Sequence, residues 1–93
     1  PGALLVNVAR GPVVNTDDLL AALNAGQIRA ALDVTDPEPL PADHPLWSAP
    51  GVLISPHVGG NTTAFLPRAY RLVREQLQRY VAGEPVHNIM TAD

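Results

Sequence analysis

Cysteine is absent from this chain, which excludes disulfides and thiolate metal sites and leaves the redox compartment unreadable. Lysine is absent as well, so all six basic residues are arginine, and the net charge is −3. They form no basic tract, although four of them fall between Arg68 and Arg79. Neither nucleic acid nor an anionic membrane is therefore expected as a partner. No apolar run approaches the ~20 residues of a membrane span, and the opening residues carry no signal-peptide pattern. A cytoplasmic protein is the default expectation.

At 93 residues the chain amounts to one domain or less, since domains commonly run to roughly 100–150 residues. Pro1 stands where a methionine would start a complete protein, and an apolar stretch follows almost at once. The expectation is a segment cut from a longer chain rather than a frayed natural terminus.

Ala3 to Val8 is nearly continuously apolar, as a strand buried on both faces would be, with Leu4–Val8 as its centre. Arg10-Gly11-Pro12 ends it. Asn15 or Thr16 offers an N-cap, Asp17 and Asp18 suit the first turn, and Gly26 suits the C-terminal end, so Thr16 to Ala25 is predicted helical. Ala30–Val34 is a second apolar strand with Asp33 near its end. Thr35 to Gly51 holds Pro37, Pro39, Pro41, Pro45 and Pro50 and is predicted to be an ordered loop pinned by Leu46 and Trp47. Val52–Ile54 is a third strand, stopped by Pro56. From Thr63 to Ala82 the pattern is helical again, with Leu66, Ala69, Val73, Leu77 and Tyr80 on one stripe. Glu75 and Arg79 have the favourable i,i+4 order, and Pro67 belongs to the first turn or to a kink. Gly83 ends the helix, and residues 84–93 read as a tail. Apolar strands alternating with helices or long loops predict a parallel α/β sheet, and three strands with two main helices are too few to cover both its faces.

Three polar groups fall at the carboxyl ends of the three strands, where open α/β sheets bind ligands. They are Arg10, the Asp33/Glu38 pair and His57. Singly each has a plain explanation: Arg10 bonding a nearby carbonyl, Glu38 as a solvated charge, His57 as a structural histidine. Asp33 is less easily dismissed, because a carboxylate in an apolar strand needs partners. Together they suit a small 2-oxo or 2-hydroxy acid. An arginine fork pairs with a carboxylate, a histidine exchanges a proton near neutral pH, and a neighbouring carboxylate orients the ring and favours its protonated form. His44 and His87 are expected to be solvated, and no metal site is expected, because Asp43, His44 and His57 match no ligand spacing.

Asn7-Val8-Ala9-Arg10-Gly11-Pro12-Val13-Val14, Leu32-Asp33-Val34 with Pro37-Glu38-Pro39-Leu40, and Ser55-Pro56-His57-Val58-Gly59-Gly60 together resemble the D-isomer-specific 2-hydroxyacid dehydrogenase family. The Gly83-Glu84-Pro85-Val86 turn continues the resemblance in order. It implies a partial doubly wound, Rossmann-like sheet: residues 1–93 would be the C-terminal portion of a dinucleotide-binding domain, cytoplasmic and homodimeric when intact. It implies an oxidoreductase that moves a hydride between NAD, with NADP not excluded, and a small D-2-hydroxy acid or 2-oxo acid. Arg10 would bind the substrate carboxylate, His57 would be the general acid/base, and Glu38 would hydrogen-bond to His57. Asp33 would face the nicotinamide carboxamide, and Val8, Ala9 and the Arg10 backbone, with His57, Val58, Gly59 and Gly60, would line the nicotinamide half of the cofactor. Asn15 replaces a common acid and Thr35 a common aromatic. The glycine-rich phosphate fingerprint and the acid that selects NAD over NADP lie outside this sequence. A non-catalytic dinucleotide sensor or corepressor on the same fold is the alternative.

Overall fold

The computed structural model describes residues 1–91, so Ala92 and Asp93 of the expected tail lie outside the described residues. The apolar run at the start forms β1, Ala3–Asn7. The chain then makes a short 3₁₀ turn at Gly11–Val13 and enters α1, Thr16–Asn24. Asn15 is the N-cap, its side-chain oxygen accepting from the Asp18 N–H. That carboxamide satisfies one of the backbone donors left open at a helix start. Gly26, at φ +69°, takes the left-handed position just past the helix. β2 is Ile28–Leu32 and β3 is Val52–Ile54. Between them a second 3₁₀ turn, Pro45–Ser48, interrupts the proline-rich loop.

The sheet order is β1-β2-β3 and both pairings are parallel. Its register decides where the chemistry sits. Asn7 pairs with Leu32, and Leu32 with Ile54, so all three strands end on one line. The ladder runs one step further on each side, Asp33 N–H donating to the Asn7 carbonyl at 3.0 Å and Ser55 N–H to the Leu32 carbonyl at 2.8 Å. β3 spans the expected residues, whereas β1 and β2 begin and end one and two residues earlier than expected, because Val8, Asp33 and Val34 already belong to the loops they feed.

The core packs one face of β2 against α1 and the proline-rich loop. Leu19, Leu23, Ala30, Leu32, Leu40 and Leu46 are its buried members. Leu46 is thus the pin expected of the loop. Trp47 is half exposed, tethered by its indole N–H, which donates to the Pro41 carbonyl at 2.8 Å. β1 differs from expectation: Leu4 and Val6 remain 57% exposed each, so this strand is not buried on both faces here. It has one neighbour, β2, and α1 accounts for cover on one side of that pair alone.

Residues 1–59 form one compact unit, and a second begins at Gly60. The second is built on α2, Phe65–Val81, slightly shorter than the predicted span at both ends. Pro67 falls in its first turn, where no helical N–H is forfeited. Arg79 pairs with Glu84 at 3.5 Å rather than with Glu75. The amide of Gln76 holds the backbone of His87, accepting from its N–H at 2.9 Å and donating to its carbonyl. His87 itself is exposed, as expected. No helix among the described residues is long and apolar enough to cross a membrane.

Candidate active site

Each strand delivers one loop to the carboxyl edge of the sheet, and each loop is tied by a polar side chain. After β1 the tie is Asn7, 5% exposed. Its Oδ1 accepts from the Ala9 N–H at 3.1 Å and its Nδ2 donates to the Arg10 carbonyl at 3.0 Å. Arg10 is exposed, and its Nη1 donates to the Ala9 carbonyl at 2.6 Å. The plain reading of Arg10 as a carbonyl-bonding arginine is therefore met. A guanidinium has five N–H donors, so the remaining ones stay open to a ligand. Gly11 is buried because the loop after β2 crosses directly over it: a Cβ there would stand 2.0 Å from the Thr35 carbonyl oxygen.

After β2 comes Asp33, 8% exposed. Its Oδ1 accepts from the Ser55 hydroxyl at 2.6 Å and the Val58 N–H at 2.9 Å, while Oδ2 accepts from the Gly59 N–H at 2.8 Å. These donors, Ser55 first, hold the Asp33 carboxyl below its ordinary range, since each favours the anion. The partner that a carboxylate in an apolar strand requires is thus the loop that carries His57.

His57 has a backbone φ of +57°, a left-handed conformation that is uncommon outside glycine. The bonds from Val58 and Gly59 to Asp33 grip the chain immediately after it. The ring is turned so that Nδ1 lies 2.9 Å from Glu38 Oε2, with both side chains 42% exposed. The hydrogen bond from His57 is the main reason the Glu38 carboxyl is held below its usual range; the Thr35 N–H and the nearby Arg10 charge act the same way. An ionised Glu38 can only accept, which assigns the Nδ1 position a proton. A recess of about 210 Å³ lies against this pair, lined among others by Asp33, Leu40, Trp47 and Ile54.

The structure thus brings together Asp33, Glu38, His57, Val58 and Gly59, with Arg10 close enough for its charge to be felt at Glu38. Val8 and Ala9 lie on the loop that carries Arg10, and Gly60 opens the second unit. His44, expected to be solvated, is half-buried and caps the second 3₁₀ turn, its Nδ1 accepting from the Leu46 N–H at 3.1 Å. The explanation is local: a histidine directly before Pro45 meets an open backbone donor two residues on. The sequence pattern assigns no role to Asn7 or Ser55, although a carboxamide closing an apolar strand signals a group needing partners.

Residues 1–59 match the family described as D-isomer specific 2-hydroxyacid dehydrogenase, NAD binding domain. The chain belongs to that family. An uncharacterized protein from the proB 3' region of Corynebacterium melassecola is 51% identical over 85 residues, 90% of this chain and 28% of that protein. The human glyoxylate reductase/hydroxypyruvate reductase is 45% identical over 85 residues, again 90% of this chain and 26% of the relative. The chain therefore spans about a quarter of the length of these two relatives. A D-isomer specific 2-hydroxyacid dehydrogenase from Xanthobacter autotrophicus Py2, solved in complex with NADPH, matches with a TM-score of 0.81 and 45% identity, over 97% of this chain and 37% of the other. The parallel Rossmann-like sheet and the carboxyl-edge loops are thus those of a 2-hydroxyacid dehydrogenase nucleotide-binding domain.

Proposed function

We propose that a full-length enzyme carrying this chain interconverts a small 2-oxo acid and its D-2-hydroxy acid with NAD or NADP. The observation that carries this reading is the His57 Nδ1 to Glu38 Oε2 contact of 2.9 Å at the carboxyl edge of the sheet. Residues 1–93 are read as the C-terminal portion of its dinucleotide-binding domain, with the tail from residue 84.

The residues present fit the nicotinamide end of such a cofactor. Val8 is 69% exposed and Val58 42%, so each offers apolar cover beside a charged edge. The Asp33 carboxylate is an acceptor of the kind a carboxamide N–H₂ requires. When bound, the dinucleotide supplies or takes up the hydride at C2. Arg10 pairs with the substrate carboxylate and so sets which carbon faces the ring. His57 Nε2 gives a proton to the carbonyl oxygen as negative charge builds there, and receives it back in the oxidation direction. Glu38 keeps the ring in one orientation and offsets the positive charge of the imidazolium.

Relatives named for glyoxylate and hydroxypyruvate make those two acids the first to test. Steady-state reduction of each, with NADH and with NADPH, should give turnover by the full-length enzyme. Tight dinucleotide binding without turnover of any 2-oxo acid would replace this reading with the sensor alternative.

A further inference from the structure

Asn7 and Asp33 are the two buried polar residues among the described residues; Asn7 ends β1 and Asp33 directly follows the adjacent β2. Asp33 grips the loop of His57, and Asn7 does the corresponding thing for Arg10. We propose that Asn7 is a positioning residue for the Arg10 carboxylate clamp, an inference that rests on the reading of Arg10 above.

Four hydrogen bonds fix the stem of the arginine. Ala9 N–H donates to Asn7 Oδ1, the Ala9 carbonyl accepts from Arg10 Nη1, and the Arg10 carbonyl accepts both from Asn7 Nδ2 and, at 3.2 Å, from the Val13 N–H. Two of these bonds come from one carboxamide, itself anchored in the sheet because the Asn7 carbonyl accepts from Asp33 N–H. Arg10 then leaves the loop in extended geometry, φ −145° and ψ 148°, directly before the 3₁₀ turn.

Asparagine suits this span because it gives and accepts at once. Aspartate would keep the bond from Ala9 but set a carboxylate oxygen against the Arg10 carbonyl. Serine would reach Ala9 alone, and alanine neither. A bidentate fork is useful only when both of its N–H groups meet the carboxylate together, so small rotations of its stem matter. A merely structural amide would affect folding; a positioning amide also affects recognition of the acid.

The test uses the full-length enzyme with glyoxylate and NADPH. Asn7→Ala and Asn7→Asp should each raise KM for glyoxylate about tenfold to a hundredfold, the range expected of a misplaced binding group. The KM for NADPH and kcat at saturating glyoxylate should stay within about twofold. In an Arg10→Lys background, Asn7→Ala should add almost nothing, because both changes act through one fork. If Asn7→Ala does not fold, Asn7→Ser is read in its place. An unchanged KM for glyoxylate in a folded variant, or an additive effect in the double variant, overturns the proposal while leaving the role of Arg10 intact. An Arg10→Lys enzyme with unaltered KM removes the clamp itself, and this inference with it.

Discussion

His57 Nδ1 and Glu38 Oε2 meet at 2.9 Å across 19 residues of sequence, and the contact closes the loop after β3 onto the loop after β2. In the proposed mechanism Nδ1 is committed to Glu38 and Nε2 is the nitrogen that exchanges the proton. His57→Ala in the full-length enzyme should lower turnover roughly 10²–10⁴-fold, as for a lost general acid. Glu38→Gln keeps an acceptor without the charge and should cost less. Near-normal turnover in the alanine variant, with an unchanged circular dichroism spectrum, would remove the mechanism.

Arg10→Lys should raise KM for glyoxylate and hydroxypyruvate while NADPH affinity stays nearly the same. Lysine preserves the charge but not the two parallel N–H groups, so the loss measures geometry rather than attraction. Fluorescence titration of NADPH beside steady-state kinetics separates the two. A Lys variant with full activity would exclude the bidentate clamp.

Asp33 gives a pH prediction for stability. Its folded carboxyl titrates below the ordinary value, so the anion is the form that the fold favours. Its contribution is complete above the unfolded value of about 3.9 and is lost as pH falls through the lowered folded value. Asp33→Asn should therefore flatten the acid side of the stability–pH curve. It should also speed hydrogen exchange at the Val58 and Gly59 amides, which donate to that carboxylate. Protection at both amides unchanged from the parent would show that other acceptors hold the loop.

Gly11 is held by space. With a Cβ 2.0 Å from the Thr35 carbonyl oxygen, Gly11→Ala must push two loop backbones apart. The cost should be about 3 kcal/mol, at the upper end for overpacking. Urea unfolding measures this directly. A variant of parental stability would mean that the two loops separate freely.

Much of this was legible in the residues. Alternation of apolar strands with a helix or loop predicted the parallel sheet, and capping chemistry found both Asn15 and Gly26. The strand-end rule gathered Arg10, Asp33, Glu38 and His57, since parallel strands in register must deliver their following residues to one edge. Other features depend on pairings no periodicity encodes. The burial expected of β1 assumed neighbours on both sides, whereas Leu4 and Val6 stay largely open here. The cap made by His44 and the grip of Asn7 on Arg10 are bonds over two or three residues, set by loop dihedrals. The partners of Asp33 lie 22 to 26 residues away and become readable only once β2 and β3 are known to be adjacent.

The left-handed backbone at His57 also bears on inheritance. Single-base changes in a histidine codon reach asparagine and aspartate, the side chains that best tolerate a positive φ after glycine. They equally reach leucine, tyrosine and proline, which do not. Drift at this codon is therefore filtered by backbone shape before chemistry is selected at all. Asn and Asp are thus the single-base replacements of His57 that this backbone best accommodates.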